Sequence, residues 1–132
     1  MCLKEDILIT GSNGQLGSEI MKLSSNYDYD FIFTDVEELD LTNSSYVDAF
    51  FYNEQIDICI NCAAYTAVDM AESEPDIARK INADAVKNLA LACAENETAL
   101  IHISTDFVFD GHSHSPYTEE DVTNPVSIYG QT

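Results

Sequence analysis

The chain of 132 residues carries 24 acidic side chains against 5 basic ones, a formal net charge of −19 at pH 7. That excess repels phosphate backbones and argues against nucleic-acid binding, and any bound nucleotide must be held by backbone N–H groups and a helix dipole instead of a basic patch. A hydrophobic fraction of 45% is ordinary for a globular domain. No apolar run nears the roughly 18 residues a membrane span needs, and the start of the chain, through Lys4, Glu5 and Asp6, has no secretory pattern. Together these point to a cytoplasmic protein.

In chain order, Ile7–Thr10 reads as a short buried strand and Gln15–Ser25 as a helix with Leu16, Ile20 and Leu23 at helical spacing. Phe31–Thr34 is a second strand, followed through Asp35 to a short extended piece, Leu39–Leu41. Thr42 or Asn43 then caps a helix running to about Asn53. Ile56–Cys62 is the next strand. Pro75 opens a long helix to about Glu95, with Ile77, Ile81, Val86, Leu89 and Leu91 on its inward side. Ala99–Ser104 is the last clear strand, and the stretch from Asp106 to Val126 is polar and turn-rich, with Gly111, Pro116 and Pro125. Continuous apolar strands alternating with helices predict an α/β fold with a parallel sheet covered on both faces. Right-handed crossovers make that sheet doubly wound and Rossmann-type, in the order 3-2-1-4-5, with a ligand site where the order reverses between strands one and four. A flavodoxin-like or response-regulator fold satisfies the same alternation, so the motifs must decide.

The four cysteines do not form an evident site. Cys59 and Cys62 make a C-x-x-C, but three residues apart on a buried strand their side chains point to opposite faces. Cys2 and Cys93 have no partner at metal spacing, and all four read as reduced core thiols. His112 and His114 lie on a polar loop without a third ligand, so no metal is expected.

Three patterns carry chemistry. Thr10-Gly11-Ser12-Asn13-Gly14-Gln15-Leu16-Gly17 follows the first strand and opens the first helix, with glycines spaced G-x-x-G-x-x-G. Glycines there permit a tight turn, close approach of a pyrophosphate to the backbone, and close packing of helix on strand. Asp35 ends the second strand, where a carboxylate accepts ribose hydroxyls and repels a 2′-phosphate. No Lys or Arg follows it until Arg79, which favours NADH over NADPH; Asp40 and Leu41 are placed to reach the adenine edge. Finally, Ser104, Thr105 and Asp106 end the last strand, and Tyr129 follows. A strand-end hydroxyl and a phenol can flank one carbonyl oxygen, the first polarising it and the second donating the proton that hydride transfer requires. Phenols, with ordinary pKa values near 10, donate better beside a cation. Its natural place is four residues on, at position 133, beyond Thr132.

Four stretches, ITGSNGQLG (9–17), NCAAYTAVDMAESEP (61–75), HISTDFVFDG (102–111) and PYTEEDVTNPVSIYGQT (116–132), resemble in this order the dTDP-4-dehydrorhamnose reductase family of extended short-chain dehydrogenases. The resemblance implies that Gly11, Asn13, Gly14, Gln15, Leu16 and Gly17 surround the pyrophosphate of NADH or NADPH. It implies that Asp35, Asp40 and Leu41 hold the adenosine end and that Ala63, Ala64 and Tyr65 line the cofactor. Thr105 and Tyr129 would be the catalytic hydroxyls, with Thr66, Val68, Ser104, Asp106 and Phe107 near a dTDP-sugar. The family usually has tyrosine where Phe107 stands, so one hydroxyl near the substrate is missing.

On this reading residues 1–132 are a dinucleotide-binding domain that stops before the family's Y-x-x-x-K lysine and its substrate-binding domain. The parent would reduce dTDP-4-dehydrorhamnose to dTDP-rhamnose, and the 132 residues alone would be inactive. An uncovered apolar face and an unpaired sheet edge favour association, a homodimer being the simplest form. The alternative is a non-catalytic NAD(P)-binding subunit on the same fold, such as the regulatory subunit of methionine adenosyltransferase, which resembles this family. The paired Thr105 and Tyr129 favour the enzyme.

Overall fold

The structure, a computed structural model, describes residues 4–132. Four strands, β1 (Asp6–Thr10), β2 (Asp30–Phe33), β3 (Ile58–Asn61) and β4 (Ala99–His102), form one parallel sheet in the order β2-β1-β3-β4. The chain leaves β1 towards β2 and then crosses back to β3 on the other side. The order therefore reverses between β1 and β3, which opens a crevice at the carboxyl ends of the strands.

The four strands match the order expected for the first, second, fourth and fifth strands, but the extended piece expected third does not join the sheet. Leu39–Leu41 instead lies in successive turns. Leu39 N–H donates to the Asp35 carbonyl at 2.8 Å, Asn43 N–H donates to the Asp40 carbonyl, and the Leu41 carbonyl accepts from Asn88. Local turns and a side-chain amide occupy the backbone groups that a ladder would need, while Leu39 and Leu41 are buried in the core.

One face of the sheet carries that core. Leu8 and Cys59 pack with Val47 and Phe51 from α2 (Ser44–Glu54) and with Ala85, Leu89, Ala92 and Cys93 from a later helix. The Asn43 side chain accepts from Tyr46 N–H and starts α2, as its sequence suggested. The other side carries α1 (Gln15–Ser24), of which only Gly17 is buried; Leu16 and Leu23 of its expected inward row are exposed.

The long helix expected over 75–95 is three pieces in series: α4 (Pro75–Arg79), a π-helical turn (Lys80–Asp84) and α5 (Ala85–Glu95), with a short α3 (Val68–Ala71) before them. A π turn holds one residue more than an α turn and so rotates the faces on its two sides relative to each other. Ala78 faces inward before it, and Ala85, Leu89, Ala92 and Cys93 face inward after it, at a clean helical spacing. Ile77 and Leu91, expected on the inward side, are 46% and 52% exposed.

Two substitutions in α5 separate these faces. Leu89→Ala should lower the unfolding free energy by about 2–5 kcal/mol, the usual cost of a core leucine. Leu91→Ala should cost under about 1 kcal/mol. Urea denaturation of both variants checks this; equal losses would mean that the inward face is misassigned.

Candidate functional site

β1 runs directly into the glycine turn. Gly11 has φ +61°, and a Cβ on it would stand 2.6 Å from the Ala63 nitrogen and Cα, so the turn lies against the backbone that follows β3. Gly14 N–H donates to the Gly11 carbonyl, and Ser12 N–H donates to the Thr34 carbonyl, both at 3.0 Å. A Cβ on Gly17 would come within 2.5 Å of the Gly11 oxygen and 2.6 Å of Ser12 Cα, so glycine lets α1 sit on its own entry turn. The first-turn N–H groups of Gln15, Leu16 and Gly17 have no intrahelical acceptors. No side chain caps that end of α1 and no acidic residue stands in its first turn, an arrangement suited to an anion.

A cleft of about 670 Å³ opens in front of this helix end, between it and the carboxyl ends of β3 and β4. That size suits a small organic ligand. Gly14, Gln15, Leu16, Ala63, Ala64, Thr66, Ser104, Thr105 and Tyr129 line it, which brings together the expected anion site and both expected hydroxyls. Neither a Lys nor an Arg lines it.

The other expected residues lie around this lining. Asn13 and Asp35 meet at the glycine turn, where Asp35 Oδ2 accepts from Asn13 N–H at 3.0 Å and Oδ1 from Val36 N–H at 2.8 Å. Asp35 thus ties the end of β2 to the turn while keeping acceptor capacity free. Asp40 Oδ1 accepts from the Thr42 hydroxyl at 2.7 Å and its N–H at 2.9 Å, and these bonds hold its carboxyl below the usual range. Leu41 is buried in the core. Tyr65 donates its hydroxyl to Glu74 Oε2 at 2.8 Å, which pushes the phenol above its usual pKa. Val68 begins α3, and Asp106 and Phe107 lie in a 3₁₀ turn (Asp106–Val108) just after β4.

That 3₁₀ turn positions Thr105. Its Oγ1 accepts from Phe107 N–H at 3.2 Å and donates to Asp106 Oδ1 at 3.4 Å. That donated bond is long, so a ligand oxygen offering a shorter one would compete with Asp106 for the hydroxyl proton. Tyr129 sits on α6 (Ile128–Gln131), started by the Ser127 hydroxyl accepting from Gly130 N–H. Its ring meets that of Phe107 edge to face, with centroids 5.4 Å apart. Between these turns, Asp110 gathers the polar loop by accepting from His112 N–H, Tyr117 Oη and Asn124 Nδ2. The bond from His112 N–H leads in lowering its pKa to about 2. The stability this contributes is present above the ordinary aspartate pKa and is lost as pH falls through that lowered value.

Two groups at the cleft were not legible as a site. Thr10, Asn61 and His102 occupy the same register across β1, β3 and β4. Asn61 Oδ1 accepts from Thr10 Oγ1 at 2.6 Å and from Ala63 N–H at 3.1 Å, while Nδ2 lies 3.0 Å from His102 Nδ1. A backbone N–H can only donate, so Ala63 fixes the Asn61 oxygen on its side and the amide nitrogen towards His102. Nδ1 is then the acceptor, and the proton of the neutral ring sits on Nε2. The one sequence signal was that three apolar strands each end in a polar residue. The second group is Asn82, in the π turn. It accepts from Tyr65 N–H at 2.8 Å and donates to the Tyr65 carbonyl at 3.0 Å and to Thr132 Oγ1 at 3.2 Å. Nothing in the sequence shows which backbone Asn82 holds.

The cysteines part as expected in one respect: Cys59 lies in the core and Cys62 lines the cleft. Cys93, which spacing left without a partner, reaches Cys59 across the core, and that contact together with burial pushes the Cys59 thiol up. Both are free thiols, and Cys2 lies outside the described residues. Among the described residues, no group of three or more His, Cys, Asp or Glu side chains could hold a metal ion, and no helix is long and apolar enough to cross a membrane.

The chain is 40% identical over 127 residues to the dTDP-4-dehydrorhamnose reductase of Aggregatibacter actinomycetemcomitans, covering 96% of this chain and 43% of that protein. Its structure matches that of a dTDP-4-dehydrorhamnose reductase from Clostridium acetobutylicum with a TM-score of 0.93 at 49% identity, covering 96% of this chain and 45% of that one. It also matches the reductase of Bacillus anthracis, solved in complex with NADP, with a TM-score of 0.95 at 40% identity, over 99% of this chain and 47% of that one. The chain thus spans a little under half the length of these relatives. The family model described as the RmlD substrate binding domain matches residues 5–132, nearly the whole chain, and the chain belongs to that family.

Proposed function

We propose that residues 1–132 are the dinucleotide-binding domain of an NAD(P)H-dependent reductase that converts dTDP-4-dehydrorhamnose to dTDP-rhamnose. The observation that carries this reading is one cleft lined both by the uncapped N-terminus of α1 and by Thr105 and Tyr129. The three dehydrorhamnose reductases above lend it support through identities of 40–49%.

The residues fit a dinucleotide. Gly11, Gly14 and Gly17 leave room beside the first turn of α1 for a pyrophosphate, whose charge the N–H groups of Gln15, Leu16 and Gly17 would meet. Asp35 would take the ribose hydroxyls next to Asn13, and Asp40 would flank the adenine, with Leu41 backing that region from the core. Ala63 and Ala64, with Tyr65 behind them, leave a flat, small-residue floor for the nicotinamide. When bound, the reduced dinucleotide supplies the hydride. At the far end Thr105 donates a hydrogen bond to the sugar carbonyl, Tyr129 delivers the proton, and Thr66, Val68, Ser104, Asp106 and Phe107 surround the sugar nucleotide. A purely binding subunit has no need for two hydroxyl donors lining one cleft, and this favours the enzyme over a regulatory subunit.

The same reading places the protein in the cytoplasm, where its free thiols Cys59, Cys62 and Cys93 stay reduced. Ile101 and Ile103, each 49% exposed at and just after the edge strand, are surface that a homodimer partner or a further domain would cover.

Two experiments on the full-length protein test this function. Tyr129→Phe should lower kcat by at least about 100-fold while the dinucleotide dissociation constant changes little, and Thr105→Val should behave similarly. Retention of wild-type turnover by both variants would refute the assigned chemistry. Secondly, NADH should serve at least as well as NADPH. Asp35→Asn keeps an oxygen for Asn13 N–H but removes the charge, so it should raise kcat/KM for NADPH relative to NADH by about tenfold. A wild-type protein that already strongly prefers NADPH would show that Asp35 does not select the cofactor.

A further inference from the structure

Tyr129 and Thr105 stand on two short turns far apart in sequence, and neither turn is long enough to hold its own shape. What joins them is a backbone contact. A Cβ at position 130 would overlap the Phe107 carbonyl oxygen, stand 3.0 Å from the Phe107 carbonyl carbon and lie 3.1 Å from Pro125 Cβ. Only glycine lets α6 press against the turn that Thr105 caps. Both ends of α6 are held by polar bonds: Ile128 N–H donates to Glu72 Oε1 at 2.9 Å, and Asn82 Nδ2 donates to Thr132 Oγ1 at 3.2 Å. Moving α6 outward would strain those bonds as well.

We propose that Gly130 is a positioning residue that sets the separation of the Thr105 and Tyr129 hydroxyls by seating α6 on the Phe107 carbonyl. This rests on the reading of Thr105 and Tyr129 as the two donors to one carbonyl oxygen. A methyl group at position 130 has a backbone oxygen, not a flexible side chain, in its way. The neighbour cannot turn aside, so α6 and Tyr129 shift as a unit. Two donors converging on one oxygen tolerate little such movement, since misplacement by about 1 Å can cost on the order of 100-fold in rate. The glycine turn is held by its own bonds to the Thr34 carbonyl and the Asp35 carboxylate and keeps its geometry.

The test is a double-mutant cycle in the full-length protein with Gly130→Ala, Tyr129→Phe and the two combined, following kcat on dTDP-4-dehydrorhamnose and dinucleotide binding by fluorescence. Gly130→Ala should lose about 100-fold in kcat with the dinucleotide dissociation constant within threefold of wild type. Because the glycine acts through the tyrosine, Gly130→Ala added to Tyr129→Phe should cost less than threefold more. A merely structural role would make the two losses multiply. Multiplying losses, near-wild-type kcat in Gly130→Ala, or loss of dinucleotide binding alongside turnover would each overturn the proposal. If Tyr129→Phe itself keeps full activity, the assignment of the proton donor fails as well, and that result is separate from the behaviour of Gly130→Ala.

Discussion

The site depends on one backbone contact, that of Gly11 against Ala63. The turn after β1 and the segment after β3 touch with no side chain between them, at a φ of +61° that favours glycine. Because the strand order reverses at this point, the contact closes the bottom of the crevice and leaves its mouth open. Ser12 and Asn13, on the same turn, bind the Thr34 carbonyl and the Asp35 carboxylate, so the end of β2 is tied to the same place. Gly17 then brings α1 down onto the turn and aims its first N–H groups into the cleft.

This construction suits a strongly acidic protein. With a net charge of −19 and no Lys or Arg lining the cleft, attraction of a phosphate has to come from peptide dipoles. Several polar side chains of the cleft have their directions set by hydrogen bonds within the fold. Ala63 N–H orients Asn61, which in turn orients His102; the Tyr65 backbone holds Asn82; Phe107 N–H occupies Thr105. Each side chain is aimed before any ligand arrives, which limits the reorganisation that binding requires.

Much of this was legible in the sequence because the governing signals are local. Glycine spacing after a strand, a carboxylate at the end of the next strand, and hydroxyl residues after the last strand are short patterns, and the cleft brings together Gly14, Thr105 and Tyr129 as they implied. The alternation of strand and helix likewise predicted the parallel sheet and the placement of its four strands. What was not legible depends on tertiary partners. Leu39–Leu41 has the composition of a strand, yet Asp35 and Asn88 take its backbone groups. Ile77 and Leu91 fit an unbroken helical period, but a π turn between them resets the face. The meeting of Cys59 with Cys93 and the line Thr10–Asn61–His102 exist only once strand register and helix packing are set.

On the proposed function, one cleft holds a dinucleotide with its pyrophosphate on the end of α1 and its reactive ring between the Ala63–Ala64 floor and the Thr105–Tyr129 pair. A crystal structure of the full-length protein with the reduced dinucleotide bound tests this most directly. Pyrophosphate oxygens are expected within hydrogen-bonding distance, roughly 2.7–3.2 Å, of first-turn α1 N–H groups, with the nicotinamide over Ala63 and Ala64 facing Tyr129. A dinucleotide bound with its pyrophosphate away from α1, or with its nicotinamide turned away from Thr105 and Tyr129, would contradict it.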